Sequence, residues 1–161
     1  MEKSKKRLQT FDNLCLMDDE LFFNVFNNNV KATQLIIDII ISKRKLKVIS
    51  SNVKEYNKSF NGQDKMILVS AIDEKDKTIF IGIKCLRKNA NPKTASLSAS
   101  ILDSWIINDA TDVSELNECY AILFTEKDIL GKGFAIYNIE RQIKEASESF
   151  DDGSHIVFVN T

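Results

Sequence analysis

The stretch KMILVSAIDEKDKTIFIGIKCL, from Lys65 to Leu86, constrains the fold more than any other part of the chain. It predicts two strands joined by a charged turn, DEKDK. In the first strand Met66, Leu68 and Ser70 alternate with Ile67, Val69 and Ala71, so both faces are largely apolar. A strand of that kind belongs in the middle of a sheet covered on two sides. The second strand divides into an aliphatic row, Ile79, Ile81 and Ile83, and a row of Phe80, Gly82 and Lys84. A single cation in so apolar a strand needs a partner or a purpose.

The flanking segments fit around that hairpin. Asp18 or Asp19 can cap a short helix, DDELFFNVFNNN, with Phe22, Val25 and Phe26 on one face. The asparagine run ends it, because Asn tolerates left-handed backbone. A second helix is expected over Lys31 to Ser42, with Leu35, Ile36, Ile39 and Ile40 at helical spacing. Val48 to Phe60 reads as a strand, and Asn61-Gly62 as a turn. Pro92, the only proline, precedes TASLSASILDSWI, where Leu97, Ile101, Leu102 and Trp105 predict a helix. YAILFT, FAIYNI and the closing HIVFVN read as strands, the last two separated by a helix over IERQIKEASESF. The whole predicts an α/β fold: a mixed central β-sheet flanked by helices. Residues 1–12 are expected to be a flexible basic arm, and 13–161 a single domain.

A chain of 161 residues, 43% hydrophobic and 28% charged, can bury a core without metal or disulfide staples. The formal net charge is -1, so no global field draws the protein to nucleic acid or membrane. The basic clusters Lys3 to Arg7 and KRKLK, Lys43 to Lys47, read as a solvated tail and as cations matching a helix C-terminus. Cys15, Cys85 and Cys119 are an odd, widely spaced set, which argues against a disulfide framework or a zinc site. Free thiols in a reducing cytoplasm are the expectation. No apolar leader is visible, and LIIDIII, Leu35 to Ile41, is too short to span a bilayer.

Familiar catalytic motifs are absent. GKG at Gly131 to Gly133 is too short for a phosphate loop and reads as a turn. His155, the only histidine, stands in an apolar strand with no nucleophile signature near it, so a structural role is expected. Asp73, Glu74 and Asp76 fall in the turn, and no carboxylate is expected on the body of the hairpin.

The run from Tyr120 to Asn160, YAILFTEKDILGKGFAIYNIERQIKEASESFDDGSHIVFVN, resembles the end of the PD-(D/E)XK nuclease-family transposases, also called recombination-promoting nucleases. DDELFFNVFNNN with TQLIIDIII resembles that family's opening helices, and GQDKMILVSAIDEKDKTIFIGIKC its central hairpin. The resemblance covers about Asp18 to the end and implies a restriction-endonuclease-like fold. It also implies an active site: an Asp in the first hairpin strand and a Glu-x-Gln or Glu-x-Lys in the second, holding Mg²⁺. Here the Asp position falls on Leu68, the Glu position on Gly82 and the last position on Lys84. The basic residues and tyrosine of the family's next helix fall on Thr94, Ser96 and Leu97. Leucine cannot ligate Mg²⁺ and glycine has no side chain. Asp64 lies roughly 13 Å along the strand from Leu68, too far to replace a ligand. Asp18 and Asp19 match an acidic pair of the family's first helix and could form a residual acidic site.

Three readings follow. The first is a catalytically inactive member, from a bacterial or mobile-element genome, that binds a protein partner as an inhibitor or regulator, for example an anti-CRISPR or other anti-defence factor. The second is a weak, non-cleaving nucleic-acid binder using Lys84, Arg87 and Lys88 on phosphates. The third is an active Mg²⁺-dependent DNA endonuclease; only this one needs a cofactor. Homodimerisation through the DEKDK turn or the Trp105 helix is compatible with all three.

Overall fold

The computed structural model of this chain describes residues 15–58, 62–88, 90–107, 112 and 116–161. The expected basic arm and Asn61 of the Asn61-Gly62 turn lie outside the described residues. Two helices come first, α1 (Asp19–Phe26) and α2 (Val30–Ile40). Three strands follow, β1 (Lys47–Lys58), β2 (Gly62–Ile72) and β3 (Thr78–Leu86). Helix α3 (Pro92–Ile106) leads to β4 (Cys119–Thr125) and β5 (Ile136–Ile139). Two short strands, β6 (Gln142–Ile143) and β7 (Glu148–Ser149), precede β8 (Ser154–Asn160).

The architecture is a six-stranded mixed sheet in the order β1-β2-β3-β4-β8-β5, flanked by helices. The opening hairpin is antiparallel, whereas β3, β4 and β8 run parallel through the centre. Parallel neighbours need covering on both faces. One face of the sheet presents Ile67, Val69, Ile81, Ile83, Ile122 and Val157 to α1 and α2. Phe22 of α1 anchors that layer, with its ring centroid 5.0 Å from Phe26 and 5.3 Å from Phe124. The other face presents Met66, Ala121, Leu123 and Phe158 to α3.

Local chemistry sets the ends of these elements. Pro92 opens α3 at a position with no amide hydrogen to lose, and the Asn91 side chain accepts from Thr94 N at 3.0 Å. Asn28 takes the left-handed backbone that separates α1 from α2, at φ 54°. Asp128 closes the loop before β5, accepting from the amides of Leu130, Gly131 and Gly133 at 2.8 to 3.1 Å. The two glycine amides of GKG thus serve the chain's own carboxylate and the Lys132 amide the Tyr137 hydroxyl, with Gly131 and Gly133 at positive φ.

Three expectations change. Helix α2 buries Thr33, Ile37 and Ile40, while Leu35 and Ile39 are 63% and 59% exposed. The segment is apolar nearly all round, so spacing alone could not choose a face; the buried Thr33–Ser51 hydroxyl contact at 3.0 Å marks the one chosen. Helix α3 buries Ala95, Ser98, Ala99, Leu102 and Ile106, and Leu97 is exposed. Small side chains let this helix approach the sheet closely. Lastly, IERQIKEASESF is not helical: it forms the β6–β7 hairpin, in which Gln142 pairs with Ser149 and Ile143 with Glu148. All its side chains are exposed, and a helix with no packed face has little to hold it. Among the described residues no helix is long and apolar enough to cross a membrane.

Candidate functional site

Leu68 and Gly82 are direct cross-strand partners in the β2–β3 ladder. Partners in a ladder share a face, and this face is the one under α3. A side chain begun at Gly82 would meet Met66 Sδ at 2.8 Å and Leu102 Cδ2 at 3.3 Å. Both of those residues are fully buried. The place above Gly82 is therefore packed hydrocarbon and thioether, and any side chain there requires Met66 to shift. Leu68 joins the same cluster, with Tyr56, Phe80, Ile101 and Trp105 around it.

Lys84, two residues on, is only 3% exposed. Its ammonium donates to the Asp64 carboxylate and to the Tyr56 hydroxyl, and lies 4.9 Å from the Tyr56 ring centroid. Tyr56 and Asp64 are themselves partners between β1 and β2, with Tyr56 donating to Asp64 at 3.1 Å. Burial, reinforced by the Asp64 charge, holds the Tyr56 phenol well above its usual pKa. A carboxylate does then stand on the body of the hairpin, contrary to the reading of the sequence. Distance along β2 from Leu68 was the wrong measure. Across the ladder Asp64 is the diagonal neighbour of Lys84, within reach of a long side chain.

The ammonium lines a cleft of about 520 Å³ together with Asp19, Asp64, Cys85, Arg87, Lys88 and Glu126. The cleft lies at the carboxyl ends of the parallel strands, where open α/β sheets place their ligand sites. Its wall is balanced in charge: three carboxylates, Asp19, Asp64 and Glu126, and three cations, Lys84, Arg87 and Lys88. Asp18 does not cap α1 with its side chain; it accepts from Cys15 N at 3.0 Å and pairs with Arg87. Arg87 and Lys88 are exposed, whereas Lys84 is enclosed. Asp18 and Asp19 stand at this cleft's side of the sheet, Asp18 paired with Arg87 and Asp19 in the cleft lining. Among the described residues no three His, Cys, Asp or Glu side chains converge as metal ligands. Thr94, Ser96 and Leu97 sit in the first turns of α3, where the Thr94 backbone amide donates to the Asn91 cap and Ser96 Oγ donates to Pro92 O at 3.2 Å. The Cys85 thiol donates to Met17 O at 3.3 Å, and burial pushes it up to about 12.

A second polar cluster, at the opposite ends of β4 and β8, was not anticipated as a unit. Arg44 donates to Glu118 at 2.6 Å and to Asp73 at 3.0 Å. Glu118 also meets His155 Nε2 at 2.8 Å and accepts from Tyr120 at 3.1 Å, and the His155 and Tyr120 rings stack at 4.4 Å. Burial would raise Glu118, but hydrogen bonds led by Arg44 outweigh it and keep this carboxyl below its usual value. The cluster ties the α2–β1 connection, the β2–β3 turn, β4 and β8 together. His155 is thus held between Glu118 and the Tyr120 ring. The missing signal was the spatial one: these residues are scattered in the chain, and only the strand order joins them.

Compared with protein-family models, with curated proteins and with solved structures, the chain finds no match.

Proposed function

We propose that this chain is a catalytically silent scaffold of the PD-(D/E)XK nuclease type that acts by binding a protein partner. One observation carries the reading: at the Leu68–Gly82 pair, onto which the resemblance maps the two carboxylates of that chemistry, Met66 and Leu102 fill the space above the sheet. A site that had lost only its ligands would remain a cleft. This one is sealed by core packing, and its remaining cation is neutralised by Asp64. The neighbouring cleft is balanced in charge, three carboxylates against three cations, and so offers a phosphate backbone no net attraction. Surface chemistry supports a protein partner: Leu35 and Ile39, one helical turn apart on α2, are both more than half exposed. An inhibitor or regulator, for example an anti-defence factor, is the role such a scaffold suits.

The test has two arms. Supercoiled plasmid incubated with the protein and Mg²⁺ or Mn²⁺ stays intact under this reading, and so does plasmid treated with the Leu68→Asp/Gly82→Glu variant. Metal-dependent nicking by the unaltered chain sinks it. Co-purification from host extract should recover one defined protein with the unaltered chain and lose it with Leu35→Glu/Ile39→Glu. A capture pattern identical for both proteins removes the partner reading.

A further inference from the structure

The connection between β5 and β8 is an arm. Beyond the β6–β7 pairs, Phe150 N donates to Arg141 O at 2.9 Å, and the Arg141 and Asp152 side chains form an ion pair. Every residue from Asn138 to Asp152 is exposed. Cross-strand partners and alternate residues share a face, so Arg141, Ile143, Glu148 and Phe150 stand on one side of the arm. Ile143 is 39% exposed and Phe150 54%. An isolated two-stranded ribbon is marginal in water, and this one shows two apolar side chains, Ile143 and Phe150, that the other described residues leave exposed.

Beside the base of the arm is a groove of about 380 Å³, with Ile41, Tyr120, Ile139, Ile156 and Val157 in its lining; Lys43, Glu140 and Arg44 also line it, Arg44 being held by Glu118 and Asp73. Lys43 opens the basic run Lys43 to Lys47. The arm from Glu140 to Asp152 has the opposite sign: five carboxylates against two cations, a net charge of -3. We infer that the chain forms a two-fold dimer in which each arm lays Ile143 and Phe150 into the other copy's groove, its carboxylates facing that copy's Lys43 to Lys47. The second copy is favoured over a foreign occupant because the two complementary surfaces lie side by side on one molecule. A two-fold axis at the arm bases brings each arm over the opposite groove in a single operation, the self-complementary contact that closed dimers use. This inference is independent of whether the chain cuts DNA or binds another protein.

Sedimentation velocity on the full chain, from micromolar to sub-millimolar concentration, tests it. A species of twice 18.3 kDa is expected, with a dissociation constant that rises with salt. Ile143→Asp/Phe150→Asp should raise that constant about 30-fold or more, as loss of central apolar anchors does. Lys43→Glu should raise it about 2- to 5-fold, the scale of a rim charge. All these positions are exposed, and circular dichroism and melting curves matching the unaltered chain establish that the variants are folded. A monomer throughout the range overturns the inference. So does a dimer that neither variant weakens.

Discussion

Gly82 is the position at which the packing of this protein can be interrogated most sharply. Its backbone is extended, so alanine fits the conformation and should gain about 0.4–1 kcal/mol by narrowing the unfolded ensemble. Against that stands the collision of the new methyl group with Met66 Sδ at 2.8 Å and Leu102 Cδ2 at 3.3 Å. Both neighbours are fully buried, so relief requires off-rotamer side chains or movement of α3. Overpacking of that kind costs about 1–3 kcal/mol. The balance is a net loss of about 0.5–2 kcal/mol for Gly82→Ala, or a fall in Tm of a few degrees. The opposite sign is expected once the obstruction is gone. Met66→Ala alone should cost about 2–5 kcal/mol through the cavity it leaves. In that background Gly82→Ala refills part of the space and should stabilise. Urea denaturation of the four proteins gives the cycle, with m values checked for constancy. A Gly82→Ala protein as stable as the parent, or one destabilised equally in both backgrounds, would falsify the account of a filled site.

Three further outcomes follow from the polar groups. Asp64→Asn should cost about 3–5 kcal/mol, because it removes the opposite charge beside a buried ammonium; Asp64→Asn/Lys84→Met should recover much of that loss in the same denaturation assay. Cys85 and Cys119, both held near 12 by burial, should resist alkylation at pH 8 while exposed Cys15 reacts, as read by mass spectrometry. Their folded values lie above the ordinary 9.0, so stability is fully present below pH 9 and declines as pH climbs from there towards 12. Glu118, held below its ordinary 4.5, works in the other direction: its contribution is present above that pH and is lost as acid protonates it, so Glu118→Gln should flatten the acid limb of a stability titration.

The hairpin was readable because period-2 alternation and a charged turn fix a register, and that register pairs Leu68 with Gly82. What filled the space above Gly82 was not readable. Met66 lies two residues from Leu68, but Leu102 arrives from a helix whose docking face is set by the small residues Ala95, Ser98 and Ala99. The spacing of Leu97, Ile101 and Trp105 pointed elsewhere, because large apolar residues dominate a periodicity argument. Lys84 drew attention correctly as a cation in an apolar strand. Its partners came from β1 and from the far end of β2, which a linear scan treats as distant. The arm shows the reverse failure. Ile139, Ile143, Ala146 and Phe150 carry a helical period, yet the described residues leave this segment exposed, and pairing between β5 and β8 draws the two ends of the segment together.

One margin of the sheet has a consequence for assembly. Strand β1 is long and lies at the border, but three of its outward backbone groups are already engaged: Val48 N by Gln34 Oε1 at 2.8 Å, Ser51 O by Asn28 N at 2.7 Å and Val53 N by Asn27 Oδ1 at 3.0 Å. That half of the border cannot template another strand, and Lys54 and Glu55 charge the stretch beyond it. A ribbon that joins this sheet through its backbone meets less obstruction on the β5 side. A body that receives neighbours mainly at one rim is biased towards closed pairs and away from fibres.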